Sequence, residues 1–483
     1  MNKHFTGIGF KFIIAICLWL AQVSLVLAQS KDVTLTIHLR GVSETKISLM
    51  GLSGTKAFKT IVEAQGIKNG ETATLKVPKE NLPGEFVLRF DYKEKKESTP
   101  YPSEKNILIN DQDLELWVSP MQANNPDSTW LQKGERENAA LALFMKENGR
   151  QKEKLGLLQQ FLANYDDTKS KFYQQGIEEY EMRREAYNQW LDARAKKDKA
   201  LFVSSLYRFQ YVPEVPWKGT EKERAASVIN HYFDGIDFND PVIIKTSQLN
   251  EFMNNYVNLH MQMAITTALR DSLVASAAHT AVEKAKLGSP IVYGWMVDYF
   301  FRGFESNNLP EGMKVLQPYL DDPNCLTSKR MEIERRIKGM ETLVKGSKAP
   351  NIELNDLDGN LFRLYDFKQA SPFILLFFWS ADCSHCKEME SAIAPWLDQP
   401  EIKQKISVVA VSLDETETEI KAWNQRITEL KSWKHMRAEE GVRSKVANDY
   451  FILATPVMIV VDAKTFEIVA MPGNLNELQT ALQ

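Results

Sequence analysis

From residue 31 the chain alternates apolar and polar positions. Val33, Leu35, Ile37 and Leu39 stand two apart, and Ile47 and Leu49 repeat the spacing. The runs Ala73–Val77, Phe86–Phe90, Ile107–Ile109 and Leu114–Val118 follow, separated by turn formers at Gly51, Gly54, Asn69-Gly70 and Pro83-Gly84. Period-two alternation with frequent turns predicts an antiparallel β-sandwich-like domain over residues 29–125. The grammar then changes. Tyr173, Ile177, Tyr180, Tyr187, Leu191 and Ala195 step at helical intervals along one face, and 253–285 and 331–343 show a similar period. Residues 126–345 are therefore expected to be helical.

A linker at Gly346-Ser347 opens a third region, residues 346–483, where strands and helices alternate. Phe373–Trp379 is a continuous apolar run, the mark of a strand buried on both faces. A helix is expected through Glu388, Met389 and Ile393, a second buried strand over Ile406–Leu413, and a helix over Thr416–Leu430. Strands at Val457–Val461 and Ile468–Met471 and a short terminal helix complete a βαβαββα-like order around a central sheet.

The length of 483 residues suits such a multidomain chain. The formal net charge is −4 and no basic block occurs, so nucleic acid is not an expected partner. Residues 1–28 have the form of a cleaved signal peptide. Lys3 and Lys11 precede or open an apolar core over Phe12–Ala21, and Val26 and Ala28 are small residues before Gln29. The core is short for a membrane span of about 20 residues, although an uncleaved anchor is the alternative. Ile16 before Cys17 does not suit lipid attachment. The mature chain is thus expected to be exported and periplasmic.

Cysteine usage narrows the chemistry. Four cysteines occur, and loss of Cys17 leaves Cys325, Cys383 and Cys386, too few for a disulfide scaffold. Cys325 reads as a free thiol, with an intermolecular disulfide as the alternative. Cys383 and Cys386 lie in Trp379-Ser380-Ala381-Asp382-Cys383-Ser384-His385-Cys386, where a buried strand hands over to a helix. Unpaired N–H groups and the positive end of the helix dipole favour thiolate there. The spacing puts the second sulfur one turn inward, close enough to exchange bonds with the first. Cys383 is therefore the expected nucleophile and Cys386 the resolving thiol. His385, with Ser384, lies between them and stabilises a thiolate when protonated, which would make the pair more oxidising; Asp382 opposes ionisation if close and desolvated. A zinc site would need further ligands, and neither a second CxxC nor a spaced set among His231, His260 and His279 supplies them. No metal and no cofactor are expected.

This C-terminal stretch resembles the thioredoxin-like family, and within it the TlpA/ResA-type exported proteins. The resemblance rests on Ala349-Pro350-Asn351-Ile352-Glu353-Leu354, Asp356, Asp358-Gly359, Leu364, Phe378-Trp379, the cysteine pair and Thr455-Pro456. It implies an α/β thioredoxin-like fold and a thiol–disulfide oxidoreductase. It also implies a cis-proline at Pro456 facing the cysteines, and substrate contacts at Thr455, Pro456 and Trp379. Protein disulfide or dithiol clients and a membrane-bound electron donor are the implied partners; the oligomeric state is left open. The chain departs from the pattern in three places. Asp382 stands where an aromatic residue is common. Phe377 stands where thioredoxin has a buried acid, leaving Glu415 as a candidate proton acceptor for Cys386. Ser391 stands where a proline is common. The reducing direction follows from the resemblance; His385 keeps oxidase or isomerase chemistry open. A peroxidase of the peroxiredoxin kind would need a proline at Leu376. From a different class, the protein is a binding or scaffold protein with a redox-tuned thioredoxin-like domain.

Overall fold

The computed structural model describes residues 31–55, 57–307 and 309–483; the leader expected at residues 1–28, with Lys3, Lys11 and Cys17, lies outside them. The chain forms two compact units. Among the described residues, one comprises those from 31 to 300 with 324–327, the other those of 301–323 and 328–483. Among the described residues no helix is long and apolar enough to cross a membrane.

In the first unit the alternating segments form β1 (Val33–Leu39), β2 (Glu44–Ser53), β3 (Ala57–Lys68), β4 (Thr72–Val77), β5 (Gly84–Lys93), β6 (Tyr101–Ile109), β7 (Leu114–Val118) and β8 (Trp130–Leu131). They make two sheets, β4-β1-β7-β8 and β3-β2-β5-β6. Val33, Leu35 and Ile37 from the first sheet and Ile47, Leu49, Leu88 and Phe90 from the second share one apolar core. The sandwich is not wholly antiparallel: β7 runs parallel to β1, with Leu35 opposite Leu114. The chain leaves the first sheet after β4, builds β5 and β6 in the second, and re-enters by a crossover, which permits the parallel pairing that a tight hairpin forbids.

The helical stretch of this unit comprises α1 (Glu137–Asn164), α2 (Lys171–Lys197), α3 (Ser204–Tyr207), α4 (Glu221–Asn230), α5 (Ser247–Gln262), α6 (Thr267–Lys286) and most of α7 (Pro290–Ser306). Tyr173, Tyr180, Tyr187 and Leu191 form the buried face of α2, joined by Arg184 and Arg194, which are paired with Glu181 and Asp198. The periodic segment 253–285 is broken in two, because Thr266 accepts the Leu269 N–H and caps a new helix. Buried carboxylates tie distant segments together: Glu85 of β5 accepts the Thr246 hydroxyl at 2.9 Å and the Ser247 N–H at 2.7 Å, and Glu137 at the start of α1 accepts the N–H groups of Phe202 and Val203. His231 pairs with Asp234, His260 is buried against the Tyr256 carbonyl, and Cys325 is buried.

The second unit contains α8 (Pro310–Leu320), α9 (Arg330–Thr342), a hairpin of β9 (Glu353–Asn355) and β10 (Leu361–Arg363), and a five-stranded sheet. Its elements run β11 (Phe373–Trp379), α10 (Ser384–Leu397), α11 (Pro400–Lys403), β12 (Ile406–Ser412), α12 (Glu417–Arg426), β13 (Lys434–Arg437), α13 (Lys445–Asp449), β14 (Val457–Asp462), β15 (Ile468–Ala470) and α14 (Leu475–Ala481). The strand order is β13-β12-β11-β14-β15, with β12 parallel and β14 antiparallel to the central β11. This is the expected thioredoxin-like α/β sheet. Ile374, Leu376 and Phe378 point into one core layer, and Leu375, Phe377 and Trp379 into the other, which contains Cys386. Two covered faces explain why β11 reads as an unbroken apolar run.

Two expectations change. The edge strand β13, Lys-His-Met-Arg, is an addition to the βαβαββα order: it is four residues long and mostly polar, and it forms by pairing with β12. The break expected at Gly346-Ser347 is not where the compact unit begins. Residues 301–323 and 328–345 pack with the sheet, and Leu343 belongs to its core.

Candidate active site

The strand β11 ends at Trp379, and a four-residue turn brings the chain into α10. Cys383 is the N-cap of that helix, in extended conformation (φ −82°, ψ 120°), and its Sγ accepts the Cys386 N–H at 3.2 Å. A sulfur thus takes the capping position that an oxygen usually fills, among the unpaired N–H groups of the first turn. Cys386 lies one turn further along, on the helix face it shares with Glu390, Ile393 and Leu397, all buried. The two sulfurs differ sharply in access. Cys383 is half-buried, whereas Cys386 is fully buried; both are free thiols here. Burial, reinforced by the neighbouring Cys383 sulfur, pushes the Cys386 thiol up to about 12, while hydrogen bonds from the Thr455 side chain and the Ser380 backbone pull the other way.

The loop before β14 forms the other wall. Thr455-Pro456 is a cis peptide, and the Cys383 thiol donates to the Thr455 carbonyl at 3.6 Å. These residues, 72 positions apart, meet because β11 and β14 are antiparallel neighbours, with Phe378 opposite Val457. The sheet therefore brings Cys383, Cys386, Thr455 and Pro456 together.

The remaining candidates are placed less favourably. Trp379, expected to touch substrate, is 1% exposed and packs beside Phe377 in the core layer; burial leaves it no surface for a client. Asp382 and Ser384 are exposed. The His385 side chain is 80% exposed, with Nδ1 3.6 Å from a Glu388 carboxylate oxygen that is itself in solvent. Asp382, in solvent, does not meet the condition of desolvation under which it would oppose ionisation of Cys383, and water weakens the His385–Glu388 contact. Glu415 is turned to Arg443, at 2.7 Å, and is not beside the thiols. Phe377 fills the thioredoxin acid position with a ring set edge-on to Trp433.

The acid that does reach this region is Asp414. It is fully buried. Its carboxylate accepts the Ser380 hydroxyl at 2.6 Å, the Ala381 N–H at 3.1 Å to each oxygen, and the Ser412 hydroxyl at 2.6 Å. Parallel register explains the meeting. Trp379 stands opposite Ser412, so two residues further on Ala381 stands beside Asp414. That signal was present in the sequence as two parallel strands ending together, but it needs the register to be read. A second buried acid, Glu390, is held by the Arg426 guanidinium through two hydrogen bonds, at 2.9 and 2.5 Å. Among the described residues no group of three His, Cys, Asp or Glu side chains is placed to hold a metal ion.

Comparison with known proteins agrees with this domain. Residues 345–468 match the AhpC/TSA family. No curated protein matches the chain. Among solved structures, a thioredoxin-like protein from Bacteroides caccae is 17% identical, with 56% of this chain and 96% of that one covered and a TM-score of 0.36. The thioredoxin domain of a thiol-disulfide oxidoreductase from Bacteroides vulgatus is 27% identical over 29% of this chain and 99% of that one, with a TM-score of 0.25. A thiol:disulfide interchange protein from Bacteroides sp. is 30% identical over 29% and 88%, also with a TM-score of 0.25.

Proposed function

We propose, from the premise that residues 345–468 are a thioredoxin-like domain of the AhpC/TSA family, that the protein is an exported thiol–disulfide oxidoreductase that reduces disulfides of client proteins. The observation that carries this reading is the asymmetry of the two sulfurs. Cys383 is accessible at a helix N-terminus beside the Thr455 carbonyl, and Cys386 is sealed behind it.

The chemistry runs in two exchanges. The Cys383 thiolate attacks one sulfur of a client disulfide, and the client's other sulfur leaves as thiolate and takes a proton from water. Cys386 then gives up its proton and attacks Cys383 Sγ. The Cys383–Cys386 disulfide forms and the second client thiol departs. Two electrons from a donor dithiol restore the pair; a membrane-bound donor suits an exported enzyme. The Thr455 backbone, facing the cysteines, pairs with the extended client segment, and Pro456 shapes that edge.

The reducing direction is supported by what does not stabilise the thiolates. A strongly oxidising pair requires a stabilised reduced form, and here His385 is solvated while Cys386 is held as the neutral thiol.

The test is a pair of variants in the full chain. Cys383→Ser abolishes turnover of a disulfide substrate such as insulin, and Cys386→Ser accumulates mixed disulfides on Cys383. A reduction potential of about −270 mV fits reducing chemistry, and one of about −120 mV an oxidant. Undiminished turnover by Cys383→Ser would refute the assignment.

A further inference from the structure

Resting on the client-reduction reading above, we infer that a cavity beside the Thr455-Pro456 edge receives an aromatic side chain of the client, a few residues from the half-cystine that Cys383 attacks. The cavity measures about 350 Å³. Much of its lining comes from outside the matched stretch: Met313 of α8 and Met340 of α9 precede residues 345–468, and Met471 follows them. Ile452 and Val457 line it too, so its wall brackets Thr455-Pro456 in the chain. Strand pairing puts that wall at the active end of the sheet. Val457 lies opposite Phe378, next to the strand end that leads to Cys383. Because β15 runs antiparallel to β14, its last residue Ala470, and with it Met471, lies at the same end.

Protein cores are packed with few voids larger than a water molecule, and an apolar cavity left open beside a substrate edge is a place for a substrate group. This one opens to solvent at Met471 and Lys314, both exposed, while Phe304, Met313 and Ile452 in its lining are buried. Three methionines from three separate segments give it flexible, polarisable walls, and a thioether sulfur favours contact with an aromatic ring. The charged lining residues, Lys314 and Arg336, are both cations, which the face of a ring attracts; Arg336 also lies 3.4 Å from Glu305. Continuity with the client edge names the occupant. A client that sets its half-cystine on Cys383 and runs extended past the Thr455 backbone advances about 3.3 Å per residue. A side chain a few residues further on therefore arrives at the cavity mouth.

The test reads selectivity in the full chain. Disulfide peptides carry one phenylalanine walked along the segment beside a half-cystine, with alanine elsewhere, and kcat/KM is measured for each. Phenylalanine at one position near the half-cystine is preferred over the all-alanine peptide by about tenfold or more, chiefly through KM, as a hydrophobic pocket supplies. Met340→Trp fills the cavity and brings that preference below about twofold. A folded Met340→Trp that keeps the preference overturns the inference. Should Met340→Trp not fold, Met471→Trp closes the exposed mouth: a lost preference supports the inference and a retained one overturns it. Equal rates for every peptide with the parent protein overturn it as well, and leave the Cys383→Ser result standing. Decanoate that binds the parent protein but not Met340→Trp, alongside such equal rates, gives the cavity to a small amphiphile instead of a client. Reduction of no peptide by the parent protein removes the exchange reaction, and this subsite with it.

Discussion

The two walls of the cysteine site are held by opposite means. On one side, Asp414 reaches from the neighbouring strand β12 and accepts hydrogen bonds from the turn at Ser380 and Ala381. On the other, the approach to Thr455-Pro456 is held by a cation from outside the matched stretch 345–468. Arg335 of α9 donates through Nη2 to the carbonyls of Ala447 at 2.7 Å, Ile452 at 2.8 Å and, more loosely, Val442 at 3.4 Å. Gly339, one turn later, gives room to Phe451, whose Cβ would lie 2.7 Å from a Cβ added at that glycine. Phe451 itself has a positive φ of 52°, a conformation a bulky residue keeps only when its surroundings fix it. The difference teaches that one wall is internal to the thioredoxin-like domain and the other is borrowed from a helix that precedes it.

The largest effect is expected from removing the borrowed brace. Arg335→Ala leaves buried carbonyls without their charged donor, a loss of roughly 3 kcal/mol by analogy with other charge-assisted hydrogen bonds. The change should appear as a lower denaturant midpoint for the second unit, together with slower client turnover as the Thr455 edge loosens. Full stability and full turnover in Arg335→Ala would mean that α9 is only a neighbour of the domain and not a support for its site.

That brace also shows where a reading of the sequence reaches its end. The strand β11, the helix after it and the cysteine pair were legible because an unbroken apolar run, a CxxC and a helical period coincide within a few residues. Thr455 and Pro456 were legible only through resemblance to a family, since nothing local distinguishes them from another turn. Arg335 lies within the periodic stretch 331–343, and its acceptors are backbone carbonyls more than a hundred residues away, which no side-chain pattern reports. Asp414 required strand register, and β13 is a polar edge strand without alternation. Trp379 was misplaced for a related reason: an aromatic residue at a strand end can face solvent or core, and here both faces of β11 are covered, with Trp379 in the layer that contains Cys386.

Both walls converge on Cys386, and pH can measure how well they enclose it. Its thiol is raised from 9.0 to about 12 in the folded protein, chiefly by burial. The unfolded chain therefore ionises first. The stability contributed by keeping this thiol neutral is fully present below about pH 9 and is lost as pH climbs from 9 towards 12. Reduced parent protein should lose stability faster over that window than reduced Cys386→Ser, and the comparison cancels the tyrosines and lysines that titrate alongside. Parallel stability curves for the two proteins would show that the sulfur is wetter than its full burial implies.

The smallest effect is expected between the two cysteines, where His385 is a candidate for redox tuning. His385 belongs to neither wall. Its ring stands in water beside Glu388, which faces solvent as well, and an exposed ion pair contributes about 0–1 kcal/mol. For a two-electron couple, 30 mV corresponds to about 1.4 kcal/mol, so His385→Ser should move the potential of the Cys383–Cys386 pair by under about 20 mV. The shift should also fade with added salt, since screening acts most strongly on exposed charges. A displacement of several tens of millivolts that survives high salt would place the imidazole against the sulfur during turnover, and would make the helix cap, rather than the two walls, the main control on the pair.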